Sequence, residues 1–92
     1  MKLPKKLKIG GHWVKVSMVP LPDGTDGEFS TATNEIRIAD NLAPTQAEVT
    51  LLHEILHALN AQFDKDLEHI ILESLSQQLY QVLSDNNLRF GD

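Results

Sequence analysis

Residues 44–59 have the sequence PTQAEVTLLHEILHAL, and this stretch decides the fold of the second half of the chain. It predicts an α-helix that begins at Thr45, because the Thr45 hydroxyl and the Glu48 carboxylate can each accept a hydrogen bond from a backbone N–H of the first turn. Apolar residues recur at three- and four-residue spacing, which is typical of a helix buried on one broad face. That face comprises Val49, Leu51, Leu52, Ile55, Leu56, Leu59 and Phe63.

Two histidines of this helix, His53 and His57, enclose the pattern HExxH. Residues four apart lie about 40° apart around a helix and one turn apart along it, so both imidazoles can reach one tetrahedral zinc ion. Glu54 lies beside these ligands, where its carboxylate can accept a proton from a water on that zinc. The pattern therefore predicts His53 and His57 as zinc ligands and Glu54 as the catalytic general base.

The alternative for the histidine pair is an ordinary amphipathic helix with two solvent-facing imidazoles. Small neighbours favour the zinc site, because they leave room for an ion and a substrate backbone, whereas a solvated face of an acidic protein is expected to carry Lys, Glu or Gln. These neighbours are Ala47, Thr50, Ala58 and Ala61.

A second helix is predicted over residues 66–85, antiparallel to the first. Its apolar stripe comprises Leu67, Ile71, Leu75, Leu79 and Val82, with Leu72 and Leu83 at the edge. A catalytic zinc has three protein ligands and one water, and this helix offers Glu68, Glu73 and His69 for the third position.

Glu68 is the preferred third ligand, because it lies at the centre of the apolar stripe, where an unpaired carboxylate would be costly and a metal-bound one would not. A first helix that continues unbroken to Phe63 would instead place Glu73 level with His57. This objection weakens if Asn60 ends the helix early in a left-handed conformation. Glu73 and His69 therefore remain as alternatives.

Residues 1–43 predict a sheet. Gly10-Gly11 favours a hairpin turn between two alternating strands, residues 20–27 are a Pro- and Gly-rich loop, and Asn34-Glu35 is expected to be a tight turn. The predicted strands are residues 7–9, 12–18, 28–33 and 36–38. The expected fold is a single α+β domain over residues 1–92, with a small antiparallel or mixed sheet of three to four strands in 1–43 and two antiparallel helices in 44–92.

Composition excludes several classes of protein. The 92 residues contain no cysteine, so a disulfide scaffold and a thiolate metal site are ruled out, and a reducing compartment fits. The longest apolar run, Ile70-Ile71-Leu72, is far shorter than a membrane span. The start is basic but has glycines where a signal peptide is apolar, so we expect a cytoplasmic protein, in the host cytoplasm if it is phage-encoded.

Charge is unevenly distributed, with a formal net charge of −5. Residues 1–15 carry five of the eight Lys and Arg, whereas residues 16–92 carry all thirteen Asp and Glu. Because the main body is acidic, nucleic-acid binding is not expected, and the expected partner is a polypeptide substrate.

Three stretches together resemble the zincin superfamily, and within it the small phage-type zincin-like metallopeptidases related to the ImmA/IrrE group. They are the strand IRI at 36–38, TLLHEILHAL at 50–59 and the helix end LYQVLSDN at 79–86. The resemblance implies a minimal zincin core that hydrolyses peptides, with zinc on His53, His57 and Glu68 and with Glu54 as general base. It also implies a substrate extended along an edge strand, for which residues 28–33 and 36–39 are both candidates.

The alternative function is a non-catalytic binding module in which zinc braces a small core, such as a phage factor that occupies a host protein. Glu54 favours the enzyme, because a structural zinc has no use for a carboxylate at that position.

Overall fold

The computed structural model describes residues 3–9, 12–62 and 69–85. Its elements in chain order are β1 (Lys6–Ile9), β2 (His12–Val19), β3 (Gly27–Ser30), β4 (Glu35–Ala39), α1 (Pro44–Gln62) and α2 (His69–Asp85). An open, mixed four-stranded sheet is thus followed by two helices, and the predicted α+β class is confirmed.

The strand order across the sheet is β1-β2-β4-β3. β1 and β2 form the predicted antiparallel hairpin, with Ile9 opposite His12, while Gly10 and Gly11 lie outside the described residues. β4 pairs in parallel with β2 and antiparallel with β3. Since β4 is interior, β3 is the edge strand of the two candidates left open by the sequence.

One face of the sheet packs on α1 and forms the core. Ile36 and Ile38 of the interior strand are fully buried, as is Leu51 of α1. Complete burial of such a side chain contributes about 1.5 to 3 kcal/mol relative to exposure. The buried cluster consists of Ile9, Val14, Val16, Ile36, Ile38, Ala47, Leu51 and Ala58.

The turn before β4 differs from the prediction by one residue. Residues 31–34 form the turn, and Glu35 already belongs to β4, where it pairs with Ser30. Asn34 has a φ of 54°, a left-handed conformation that Asn tolerates better than most residues. The reversal is completed there, so the predicted Asn34-Glu35 turn is wrong in its second position, and the predicted strand 28–33 is shortened to β3.

Tyr80 of α2 joins the two helices through Glu48 of α1. The Tyr80 hydroxyl donates to the buried Glu48 carboxylate, with 2.6 Å between the oxygens. Tyr80 lies late in α2 and Glu48 early in α1, so the helices are antiparallel as predicted. This carboxylate links the helices, whereas the sequence predicted for it a role in the first helical turn.

The sequence predicted that α2 buries its apolar stripe, and this prediction is wrong because α2 buries a different face. Ile71, Leu75 and Leu79 are 44%, 43% and 39% exposed, whereas Leu72 and Ser76 are buried. Ser76 can be buried because its hydroxyl donates to the backbone oxygen of Leu72 at 2.7 Å. Leu67 and the side chains of Val82 and Leu83 lie outside the described part of the chain.

Within the described ranges, neither helix is long and apolar enough to cross a membrane.

Candidate metal and catalytic site

The imidazoles of His53 and His57 converge on one side of α1. Their Nε2 atoms lie 3.0 Å apart, and the rings are inclined at 75° with centroids 4.6 Å apart. Two nitrogens bound to one tetrahedral zinc at 2.0–2.1 Å would lie about 3.3 Å apart. The two predicted ligands are therefore brought together with a spacing that suits a shared ion.

Glu54 is 5% exposed and lies at the interface between α1 and β3. The edge strand approaches closely here, because a Cβ added to Gly27 would lie 2.6 Å from Cγ2 of Thr50 and 3.3 Å from Cγ of Glu54. Real Cβ atoms essentially never come as close as 2.6 Å to a non-bonded heavy atom, so any other residue at position 27 would force β3 or this turn of α1 to shift. From the sequence, Gly27 was expected only as part of a loop.

Burial, and to a smaller extent the negative charge of Glu28, together raise the pKa of Glu54 from 4.5 to about 7. A low-dielectric surrounding disfavours the charged carboxylate, and a second carboxylate adds repulsion. A cation held by the neighbouring His53 and His57 would lower this pKa, because a nearby positive charge favours the ionised carboxylate, which is the form that can accept a proton.

Glu54 contributes to the walls of two cavities. The first, of about 330 Å³, is lined by His53, Glu54 and Gly27 together with Glu73 of α2. The second, of about 410 Å³, is lined by His57 and again by Glu54 and Gly27. Glu54 and Gly27 thus contribute to the walls of both cavities.

The third ligand is not established by the structure. Glu68 lies outside the described residues, as does the side chain of His69. Helix α1 continues through Asn60 to Gln62, so the early stop that would weaken the objection to Glu68 does not occur. Glu73 lines the same cavity as His53, yet within residues 3–9, 12–62 and 69–85 no group of three or more His, Cys, Asp or Glu is arranged to hold a metal ion.

Comparisons of the chain with protein-family models, with curated proteins and with solved structures find no match. The functional assignment therefore depends on the geometry of His53, Glu54 and His57.

Proposed function

We propose that this protein is a zinc-dependent metallopeptidase. The proposal is supported mainly by one observation: the Nε2 atoms of His53 and His57 lie 3.0 Å apart, and the residue that follows His53 is the buried Glu54. Two neutral imidazoles and a carboxylate are a donor set that zinc accepts, and the spacing between the nitrogens fits its coordination sphere. The residues present therefore suit zinc.

In this proposal His53 and His57 hold the ion. The third ligand, a carboxylate, comes from Glu68, as the resemblance implies, or from Glu73, which is supported by its place in the wall of the His53 cavity. When bound, zinc would act as a Lewis acid that polarises the scissile carbonyl and lowers the pKa of water.

Glu54 moves the proton in the proposed reaction. Its carboxylate accepts a proton from the attacking water and delivers it to the amine that leaves. Burial against β3 supports this role, because it limits competing contacts of the Glu54 carboxylate with solvent.

Strand β3 binds the polypeptide substrate in this account. β3 pairs with β4 on one side, and within the described residues no strand pairs with its other side. An extended peptide can add to such an edge through main-chain hydrogen bonds. Gly27 of this strand lines both cavities and lets the strand lie directly beside Glu54.

The decisive variant is Glu54→Gln, with Glu48→Gln as its matched control. Both replace a buried glutamate of α1, but Glu48 contacts Tyr80 and lies outside both cavities' walls. With cell lysate as substrate and new protein termini counted by mass spectrometry, Glu54→Gln should lower cleavage by roughly 10² to 10⁴ at unchanged zinc content. Glu48→Gln should cleave like the wild type at temperatures where it remains folded.

The competing proposal is a zinc-braced module that binds a protein without cleaving it, such as a phage factor acting on a host protein. The exposed apolar side chains of Ile71, Leu75 and Leu79 favour it, because they offer a binding surface. Equal cleavage profiles for wild type and Glu54→Gln, with zinc bound to both, would support this alternative. In either case we propose a cytoplasmic location, supported by the absence of cysteine.

A further inference from the structure

The sheet face that is turned away from the helices carries a group of basic side chains around a tryptophan. Val14 and Val16 of β2 are buried in the core, so Trp13 and Lys15, which alternate with them, lie on the opposite face. In the hairpin, Lys8 is opposite Trp13, and Lys6 is opposite Lys15. Cross-strand partners share a face of the sheet. We call Lys6, Lys8, Trp13 and Lys15 the basic face.

Trp13 is the centre of the basic face and is 59% exposed. The ammonium groups of Lys6 and Lys8 lie 4.7 Å and 5.9 Å from the centroid of its ring. The strand below it is held in place from the β3–β4 turn, because the side-chain amide of Asn34 donates to the backbone oxygen of Trp13 at 2.9 Å. A large aromatic ring is thus presented to solvent between cations on a rigid strand.

The positive charge is concentrated on this face although the protein is acidic. Three of the five Lys and Arg in the described residues belong to the basic face. Arg37, on the neighbouring strand, is paired with Glu28 at 2.9 Å and with Glu35 at 3.3 Å. Lys15 has Glu35 beside it on β4, whereas Lys6 and Lys8 lie on β1, whose hairpin partners on this face are Lys15 and Trp13. The hairpin is therefore the part of the sheet that is suited to an anionic partner.

We propose that the basic face binds single-stranded nucleic acid, with phosphates on Lys6, Lys8 and Lys15 and a base stacked on Trp13. Backbone charges and exposed aromatic rings are the two elements of sequence-tolerant single-strand binding. From the sequence, nucleic-acid binding was not expected, because the main body of the chain is acidic. The hairpin register gathers three of them around one ring.

The combination of lysines with an exposed tryptophan ring favours single-stranded nucleic acid over an acidic polypeptide and over an anionic membrane. An acidic polypeptide would pair with the lysines but would not use a flat aromatic ring for stacking. An anionic membrane is disfavoured, because insertion needs a broad apolar face around the tryptophan, whereas this face of the sheet continues into Arg37 and Glu28.

The lysines that lie over the ring do not prevent stacking. An exposed contact between an ammonium and an aromatic ring is weaker than stacking of a base on the same ring. Phosphates draw the ammonium groups of Lys6 and Lys8 toward the strand backbone, and the ring becomes available to the base. The basic face lies across the sheet from α1, so this binding does not depend on the proposed peptidase activity.

The chain contains one tryptophan, so its fluorescence reports directly on the basic face. Titration with short oligo(dT) and oligo(U) should quench this fluorescence saturably, and log K should fall with log salt with a slope of about −2 for three phosphate contacts. A poly-Glu peptide and phosphatidylserine vesicles at equal charge should produce little change. No quenching by the oligonucleotides, or equal quenching by poly-Glu or vesicles, would overturn the proposal.

Variants locate the binding by anisotropy of a fluorescein-labelled oligonucleotide. Lys6→Gln and Lys8→Gln should each weaken binding and reduce the salt slope by about 0.7. Lys5→Gln removes the same charge just before β1 and should leave the slope unchanged. Trp13→Leu should weaken binding about tenfold, and Trp13→Phe should retain most of it. Equal losses for Lys5→Gln and Lys6→Gln, in variants with wild-type melting temperatures, would overturn the assignment to this face.

Discussion

Gly27 of β3 lies against Thr50 of α1 so closely that a Cβ at position 27 would meet Cγ2 of Thr50 at 2.6 Å. The same glycine lines both cavities beside Glu54. Because Gly27 has no Cβ, β3 lies closer to the HExxH turn of α1 than a larger residue at this position would allow.

Gly27→Ala should lower the free energy of unfolding by about 1 to 3 kcal/mol, because the new methyl group overpacks the contact between strand and helix. Thr50→Ser removes Cγ2, the nearest of the atoms that the new Cβ would meet. Urea denaturation of both single variants and of the double variant measures the coupling free energy between positions 27 and 50. The double variant should recover part of the loss, and strictly additive losses would contradict this contact.

The environment of Glu54 predicts a pH dependence of stability in protein prepared without metal. Its pKa is raised from 4.5 to about 7, so the folded state favours the protonated carboxyl group. The resulting stabilisation is fully present below pH 4.5 and is lost as the pH rises through 7. The loss is on the order of 3 kcal/mol, since one pKa unit corresponds to about 1.4 kcal/mol.

Glu54→Gln removes this titration, so the stability difference between wild type and variant should change over that pH range. Chemical denaturation at several pH values measures it. Parallel stability curves would show that the carboxyl group is not buried in the way described.

The face that α2 buries predicts a contrast between two leucines. Leu72→Ala should cost about 2 to 5 kcal/mol, because it leaves a cavity between the helices. Leu75→Ala removes the same atoms from a side chain that is 43% exposed, and should cost less than half as much. The reverse order in thermal or urea denaturation would restore the face predicted by the sequence.

The third zinc ligand is decided by comparing two conservative variants. Because α1 continues unbroken past Asn60 and Glu73 lines the His53 cavity, Glu73→Gln should weaken zinc binding at least tenfold. Glu68→Gln should have the smaller effect. Zinc titration with a competing chelator measures both, and a larger loss for Glu68→Gln would return the role to the residue implied by the resemblance.

Local sequence patterns were sufficient to predict features that depend on a single helix or on neighbouring strands. The hairpin of β1 and β2, the strand at Ile36 and the helix carrying His53 and His57 follow from alternation and from 3.6-residue spacing. The same spacing fixes the approach of the two imidazoles, because both lie on one helix.

The sequence was insufficient to predict features that depend on contacts between separate elements. An apolar stripe through Ile71, Leu75 and Leu79 predicted the buried face of the second helix. The structure instead buries Leu72 and Ser76, and Tyr80 bonds to Glu48 of α1. Similarly, neither the approach of Gly27 to Thr50 nor the gathering of lysines around Trp13 can be read from spacing along one strand. Both depend on the pairing and packing of separate elements.

The central claim, that His53 and His57 together bind zinc, is tested most directly by metal analysis of protein purified without added metal. The wild type should contain about one zinc per chain, and the His53→Ala/His57→Ala double variant should contain almost none, because each substitution removes one of three protein ligands. A wild type without zinc that also fails to bind it on titration, or full zinc content in the double variant, would contradict the account.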